Sequence, residues 1–297
     1  MGEAIDSILN QTFQDYEFII INDGSTDATP DIIARYHDPR IRIVTNEKNL
    51  GLTKSLNIGI GLAQGEYIAR ADADDVSLPD RFLEEVIFLD NNPDIAMVGT
   101  AREIIDEFGV KIRNEIPKKD PSYRDIYNGN PFQHSSVMIR KNVLLEFGGY
   151  DELFPACEDY ALWLLIAKKY RVYNIPTPLC KWRLHAESVS VKNYKTQKFS
   201  SILARRIVTN QLNENDLKGI HTSGVLYLED KLSKDEMIDY LNGAASCYRN
   251  NDNYSKARKL YLKLFFMNPG DYISFINYFR LFLGKKFVSV TSKIFSH

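Results

Sequence analysis

Four short apolar runs of strand-like bulk recur in the first hundred residues: EFIII (17–21), IRIVT (41–45), EYIAR (66–70) and IAMVG (95–99). Helical spacing fills the stretches between them. Ile32, Ile33 and Tyr36 follow the helix starter DATPD, Leu52, Leu56 and Ile60 share one helical face, and Phe82, Val86 and Leu89 follow SLPDR. Apolar strands alternating with helices predict an α/β fold, a mostly parallel sheet covered by helices on both faces. In such sheets ligands bind beyond the carboxyl ends of the strands, where loops and helix N-termini converge. Two of the runs end in acid: FIIINDGSTD delivers Asp23, and EYIARADADD delivers Asp72, Asp74 and Asp75.

From residue 101 to 190 the pattern is mixed. Strands are expected at KIRNEI (111–116), SVMIR (136–140) and YRVYNI (170–175), and a helix at EDYALWLLIAKKY (158–170). This stretch completes the sheet and adds a second wall to the cleft, so a first domain is expected over residues 1–192. Residues 193–297 read as a helical extension. Within it Ala245, Tyr248, Ala257, Tyr261 and Pro269 fall at the offsets of one tetratricopeptide-like hairpin at 238–269. Repeat arrays need about three units, so a single copy reads more simply as a helix pair. The tail from Tyr272 to His297 holds seven aromatic residues and no acid. Phe275, Phe279 and Phe282 recur at helical spacing, with Arg280, Lys285, Lys286 and Lys293 nearby. That pattern fits either an interfacial helix in peripheral contact with a membrane or a terminal helix docked on the body.

Composition narrows the partners. A net charge of −2 over 297 residues gives no reason to expect nucleic acid, so any polyanion must meet a local site. Three cysteines without metal-ligand spacing, Cys157, Cys180 and Cys247, read as reduced packing residues. No apolar run reaches the roughly 18 residues of a membrane span, and MGEAIDSILNQTF has no signal-peptide character. A cytoplasmic protein is expected, at the inner face of the cell membrane if the tail binds lipid.

The acid clusters carry the chemistry. Aspartates two apart at a strand end can turn their carboxylates to one side, and paired hard oxygens suit Mg²⁺ or Mn²⁺. A solvated turn before a capped helix uses the same letters, but DADD follows a buried strand, and Asp23 ends another strand of the same sheet. An EF-hand is excluded, because Ser77 and Leu83 stand where Gly and Glu are needed. A haloacid-dehalogenase-like phosphohydrolase with Asp72 of DADDV as its phosphorylated nucleophile matches letter for letter. Against it, the motif follows about seventy residues of α/β pattern, with no convincing downstream lysine and acid pair. A catalytically inactive nucleotide-binding protein is a third reading.

Five blocks carry a resemblance: SILNQTFQDYEFIIINDGSTDATPDII, NLGLTKSLNIGIGLAQGEYIARADADDVSLPDRF, NPFQHSSVMIRK, FGGYDELFPACEDYALWLLIAKKY and RLHAESVS. In order and spacing they resemble the family 2 glycosyltransferases of the GT-A fold, over residues 3–190. The resemblance implies metal-dependent, inverting transfer of a sugar from a nucleoside diphosphate of UDP or dTDP type. The acceptor would be a saccharide or lipid-linked hydroxyl, in the synthesis of a surface polysaccharide or glycolipid such as capsule or lipopolysaccharide. It places Asp23 against the donor base, Asp72 near the ribose and Asp74 on the Mg²⁺ or Mn²⁺ that bridges the diphosphate. Asp72 is a second metal candidate, Ala73 lies between the two at the donor, and Asn49 and Lys54 are candidate donor contacts. The ED pair maps the general base onto Asp159, with Glu158 beside it. RLH maps onto Arg183 and His185, the histidine a further metal or diphosphate contact. His134 falls on the acceptor side. From the residues themselves, Trp163 reads as core, with a sugar-stacking ring on the acceptor side as the alternative, and Asp75 reads as structural.

Elementary chemistry agrees with those roles. Breaking a sugar–diphosphate bond builds negative charge that a divalent cation stabilises. An acceptor hydroxyl is a poor nucleophile until a carboxylate takes its proton, and one base opposite the leaving group gives inversion. The family pattern also has an apolar strand and a Pro-x-Tyr-Asn type loop ahead of the helix represented by EAIDSILNQTF. That strand belongs in the middle of the sheet, with its loop at the nucleotide base. Read from Met1, the chain lacks it, which is expected to leave neighbouring strands unpaired and to compromise activity.

Overall fold

A computed structural model describes residues 1–184, 193–251, 253–269 and 272–281. The chain forms two compact units, Met1–His185 with Ala204–Gln211, and Ala186–Leu203 with Leu212–His297.

The first unit opens with α1 (Gly2–Leu9), which buries Ala4, Ile5 and Ile8 on one face, and β1 (Phe18–Asn22). A short α2 (Thr29–Ile33), started by Pro30, leads to β2 (Ile41–Thr45), parallel to β1 from Phe18↔Ile41 to Asn22↔Thr45. Next come α3 (Leu52–Leu62), β3 (Tyr67–Ala69), β4 (Val76–Ser77) and α4 (Arg81–Asn91). β5 (Ile95–Ile105) buries every residue from Ile95 to Ala101, as a strand covered on both faces must. β6 (Lys111–Glu115), α5 (Tyr123–Asn128), a 3₁₀ turn at His134–Ser136, β7 (Met138–Arg140), α6 (Lys141–Glu146), α7 (Glu158–Lys169) and β8 (Arg171–Arg183) complete it. Ile8, Phe82, Leu89, Ile95, Val98, Met138, Ile175 and Leu179 join α1, α4 and strands β5, β7 and β8 in one core cluster.

Strand direction differs from expectation. Only β1–β2 and β5–β8 pair in parallel among the described residues; β3–β7, β7–β5, β5–β6 and β8–β4 are antiparallel. Apolar alternation reports burial, not direction. The β5–β6 hairpin is antiparallel by construction, its turn closed by Asp106, which accepts from Phe108 and Val110 N–H, and by Gly109 at φ 85°. β8 also runs eight residues beyond YRVYNI, because β5 lies alongside it to Arg183. The pairing register shifts between Thr100↔Ile175 and Ala101↔Pro178, where Pro176 and Pro178 cannot donate to the ladder.

Two sheets result: β1–β2, and β3–β7–β5–β8–β4 with β6 on β5. Between them lies a cavity of about 1060 Å³ lined by β1, β3, Ile5, Ile8, Leu56 and Ile60, and by Arg70–Ala73 and Tyr150 at one end. β1 and β3 each pair on one edge only among the described strands, and both line this space.

All three cysteines are free, with Cys157 and Cys180 buried, in keeping with a packing role. The second unit is helical: α8 (Tyr194–Val208, its last residues in the first unit), α9 (Glu214–Ser223), a 3₁₀ turn at Val225–Lys231, α10 (Lys234–Asn250), α11 (Tyr254–Met267) and α12 (Tyr272–Arg280). Ser233 and Glu236 form a capping box on α10, and Asn253 caps α11. Leu241, Ala245, Ala257, Tyr261 and Leu264 close the α10–α11 pair, while Tyr248 faces outward. No described helix is long and apolar enough to cross a membrane.

Candidate active site

The end of β1 turns sharply at Asp23–Gly24. Gly24 sits at φ 68°, and a Cβ there would lie 2.8 Å from the backbone carbon of Lys48, so only glycine lets the two loops meet. The Asp23 carboxylate accepts from Asn46 Nδ2 and Leu50 N–H at Oδ1 and from Gly51 N–H at Oδ2, each at 2.8 Å. Burial alone would raise its pKa, but these hydrogen bonds outweigh it and hold the carboxyl below its ordinary value. Asp23 therefore shapes the loop that starts α3. Asp23→Ala is expected to cost about 1–3 kcal/mol of stability, since three donors lose their acceptor; a urea midpoint indistinguishable from the parent's would contradict this. Nearby, Asn49 accepts from Gly51 N–H, and Lys54 is ion-paired to Glu152 at 3.3 Å, both exposed.

The acid loop between β3 and β4 is held differently at each aspartate. Asp72 is half-buried and ion-paired to Arg70 at 2.5 Å, whereas Ala73 and Asp74 are exposed. Arg70 also donates to Ala71 O, and its buried Nε has no partner. Asp75 turns inward. Its oxygens accept from the Ser135 hydroxyl and, at 2.9 Å, from Arg183 N–H. Burial pushes it up to about 6 against those two hydrogen bonds, and the neighbouring Asp72 and Asp74 add to the rise. The Arg183 guanidinium then clamps the loop from outside, donating to Asp74 O at 2.9 Å and pairing with Glu3 at 2.6 Å. Asp75 thereby fastens the acid loop to β8 and to the turn carrying His134.

Near these residues lies the N-terminus of α7, whose Glu158 and Asp159 act electrostatically on His134 and Tyr150. Cys157 occupies the N-cap position, so Asp159 is the second helical residue; it accepts from Asn130 Nδ2 at 2.9 Å. Glu158 is buried, and burial raises it to about 7, reinforced by Asp159 and Asp72 and opposed by a backbone hydrogen bond and Arg70. His134 shares a 2.9 Å hydrogen bond between Nε2 and the Tyr150 hydroxyl. Burial lowers its pKa, as does Arg70, while Asp159 and Asp72 pull it up. Tyr150 is pushed up by burial and feels Arg70, Asp159, Glu158 and Asp72. These mutual influences place Arg70, Asp72, His134, Tyr150, Glu158 and Asp159 in one electrostatic neighbourhood, of which Arg70, Asp72 and Tyr150 line the cavity.

Trp163 departs from the acceptor-side alternative. It is fully buried and packs edge-on against His134 and Tyr150, so it supports those rings from behind and presents no face to a sugar. His185 lies outside the described residues. Among the described residues no three His, Cys, Asp or Glu side chains gather as a metal site. Asp72 and Asp74 still offer the hard oxygens that Mg²⁺ and Mn²⁺ prefer, so the donor chemistry fits such an ion while the set is incomplete without further oxygens. Sequence reasoning missed Arg70 and Tyr150, although both stand inside quoted blocks, ARADADD and GGYDE. It also missed Asn57, which exchanges two hydrogen bonds with the Tyr150 backbone and ties α3 to the site.

Comparison with known proteins supplies the family. The profile described as Glycosyl transferase family 2 matches residues 1–154. An uncharacterized glycosyltransferase of Haemophilus influenzae is 35% identical over 252 residues, 79% of this chain and 78% of the relative. The O-antigen biosynthesis glycosyltransferase WbnJ of Escherichia coli is 34% identical over 222 residues, 71% of this chain and 86% of the relative. Among solved structures, the mannosyltransferase PcManGT of Pyrobaculum calidifontis, in complex with GDP-Man and Mn²⁺, superposes with a TM-score of 0.54 at 16% identity. That match covers 90% of this chain and 83% of the other. The phosphohydrolase reading of DADDV has no place beside these matches. The chain belongs to glycosyl transferase family 2 and is a glycosyltransferase of the GT-A fold.

Proposed function

We propose that the protein transfers a hexose from a nucleoside-diphosphate sugar to a saccharide or lipid-linked hydroxyl, with inversion and with Mg²⁺ or Mn²⁺ bound, in surface polysaccharide or glycolipid synthesis. The observation that carries this reading is the clustering of His134, Glu158 and Asp159 around Arg70, Asp72 and Tyr150, the last three of which line the cavity. Asp74 with Asp72 would hold the cation, which when bound supplies a Lewis acid for the leaving diphosphate. Asp23 and the loop it ties together, with Asn49 and Lys54, form the donor side. Arg70 orients Asp72 and brings a positive charge to where the diphosphate would lie.

On the acceptor side Asp159 takes the proton from the attacking hydroxyl. Asn130 fixes its carboxylate in the first turn of α7. Burial pushes Glu158 up to about 7, so the environment sets this carboxyl apart from the base proposed beside it. The O-antigen role of WbnJ and the GDP-Man and Mn²⁺ held by PcManGT support the polymer, donor and metal classes, the UDP or dTDP choice resting on the sequence resemblance alone. The test is release of nucleoside diphosphate from a panel of nucleotide sugars, with and without Mn²⁺. Turnover should require the cation and be lost in Asp74→Asn; equal turnover in EDTA removes the metal, and a trapped aspartyl phosphate at Asp72 would revive phosphohydrolase chemistry.

A further inference from the structure

The second unit carries a surface the transfer reaction does not use. Five rings run in sequence across α11 and α12: Phe266 to Phe265 at 5.9 Å, Phe265 to Phe275 at 4.8 Å, Phe275 to Phe279 at 4.7 Å and Phe279 to Tyr278 at 5.2 Å. Such strips are ordinarily core. Here Phe266 is 72% exposed and Phe279 52% exposed, with Ile273, Phe275 and Ile276 also open to solvent. On α11, Lys256, Lys259, Lys263 and Phe266 recur at intervals of three or four, so the lysines line one exposed stripe that ends on the most exposed ring.

Charge follows the same division. Residues 253–297 carry eight Lys and Arg (256, 258, 259, 263, 280, 285, 286 and 293) against one acid, Asp271, a net of +7. The whole chain is −2, so residues 1–252 are −9. Five of these cations, Lys256, Arg258, Lys259, Lys263 and Arg280, stand on the same two helices as the exposed rings.

We infer that the α11–α12 face lies on an anionic lipid surface, its rings entering the headgroup layer and Lys259 and Lys263 meeting phosphates. Apolar rings beside a lysine stripe match the chemistry of an anionic bilayer, which offers both an apolar layer and negative charge. A second copy presenting the same lysines would be repelled.

The experiment is flotation of the full-length chain with vesicles of phosphatidylcholine alone and of phosphatidylcholine with phosphatidylglycerol. Two double variants, Lys259→Glu with Lys263→Glu and Phe266→Ser with Phe279→Ser, are compared after circular dichroism has shown the parent's helix content and melting. The parent should float only with the anionic vesicles and release in high salt. Each double variant should weaken partition by about tenfold or more. The inference is overturned if the parent fails to float, floats equally with neutral vesicles, or keeps its partition in both variants. A dimer lost in the phenylalanine variant, without vesicle binding, overturns it in favour of self-association.

Discussion

Asp159→Asn should lower kcat for sugar transfer by about 10²–10⁴-fold, the usual contribution of a positioned general base. The substitution keeps the shape and leaves an oxygen for Asn130, so helix α7 should form as before and the melting temperature should hold. The donor KM should change little, because the carboxylate acts on the acceptor proton and not on the nucleotide. Glu158→Gln is the informative companion: a group kept protonated by burial already resembles its amide, so its effect on kcat below pH 7 should be far smaller. Steady-state kinetics of both variants with a saturating donor decide the assignment. Full activity in Asp159→Asn would sink it, and a larger loss in Glu158→Gln would move the base to Glu158.

The largest stability effect is expected inside α4. Arg81 and Glu85 are both fully buried, 3.3 Å apart at i and i+4, and Arg81 further donates to Ser77 Oγ at 3.0 Å and Val137 O at 3.2 Å. Arg81→Ala leaves a buried carboxylate with no cation and should cost about 3–5 kcal/mol, whereas Arg81→Met with Glu85→Leu should recover most of it. The pH dependence has a definite sign. Burial pushes Glu85 up to about 7 despite the pull of Arg81, so the folded protein binds more protons than the unfolded chain between the ordinary carboxylate value of 4.5 and about 7. Stability should therefore fall as pH rises through that window. Asp75 and Glu158 are shifted the same way and add to the slope. Denaturant unfolding at several pH values should show a shallower slope in Glu85→Gln; an unchanged slope would remove Glu85 as a cause.

The acids of the proposed site were legible at strand and helix ends. Asp23, Asp72 and Asp74 follow apolar runs, and Glu158 and Asp159 open a helix whose apolar residues announce its burial. A strand end and a helix start are local features, readable from a dozen residues. The partners of those acids were not. The Ser135 hydroxyl reaches Asp75 across 60 residues and the Arg183 N–H across 108, while Arg81 reaches Val137 across 56. No periodicity encodes such distances. Trp163 was readable as core from the letters, but the rings it packs against, His134 and Tyr150, were not.

Alternating apolar strands and helices, the acids at their ends and the cationic, aromatic C-terminal stretch were determined by the amino-acid order itself, because each depends on neighbours within a turn or a strand. Strand direction, the salt bridge that holds Asp72, the ring cluster that sets His134 and the exposure of the α11–α12 rings were decided only by tertiary structure. Each of these is a contact or a loss of contact with water that exists once distant segments close on one another. The free energy of burying a charge or a ring depends on what surrounds it in space, and the local sequence does not specify that environment.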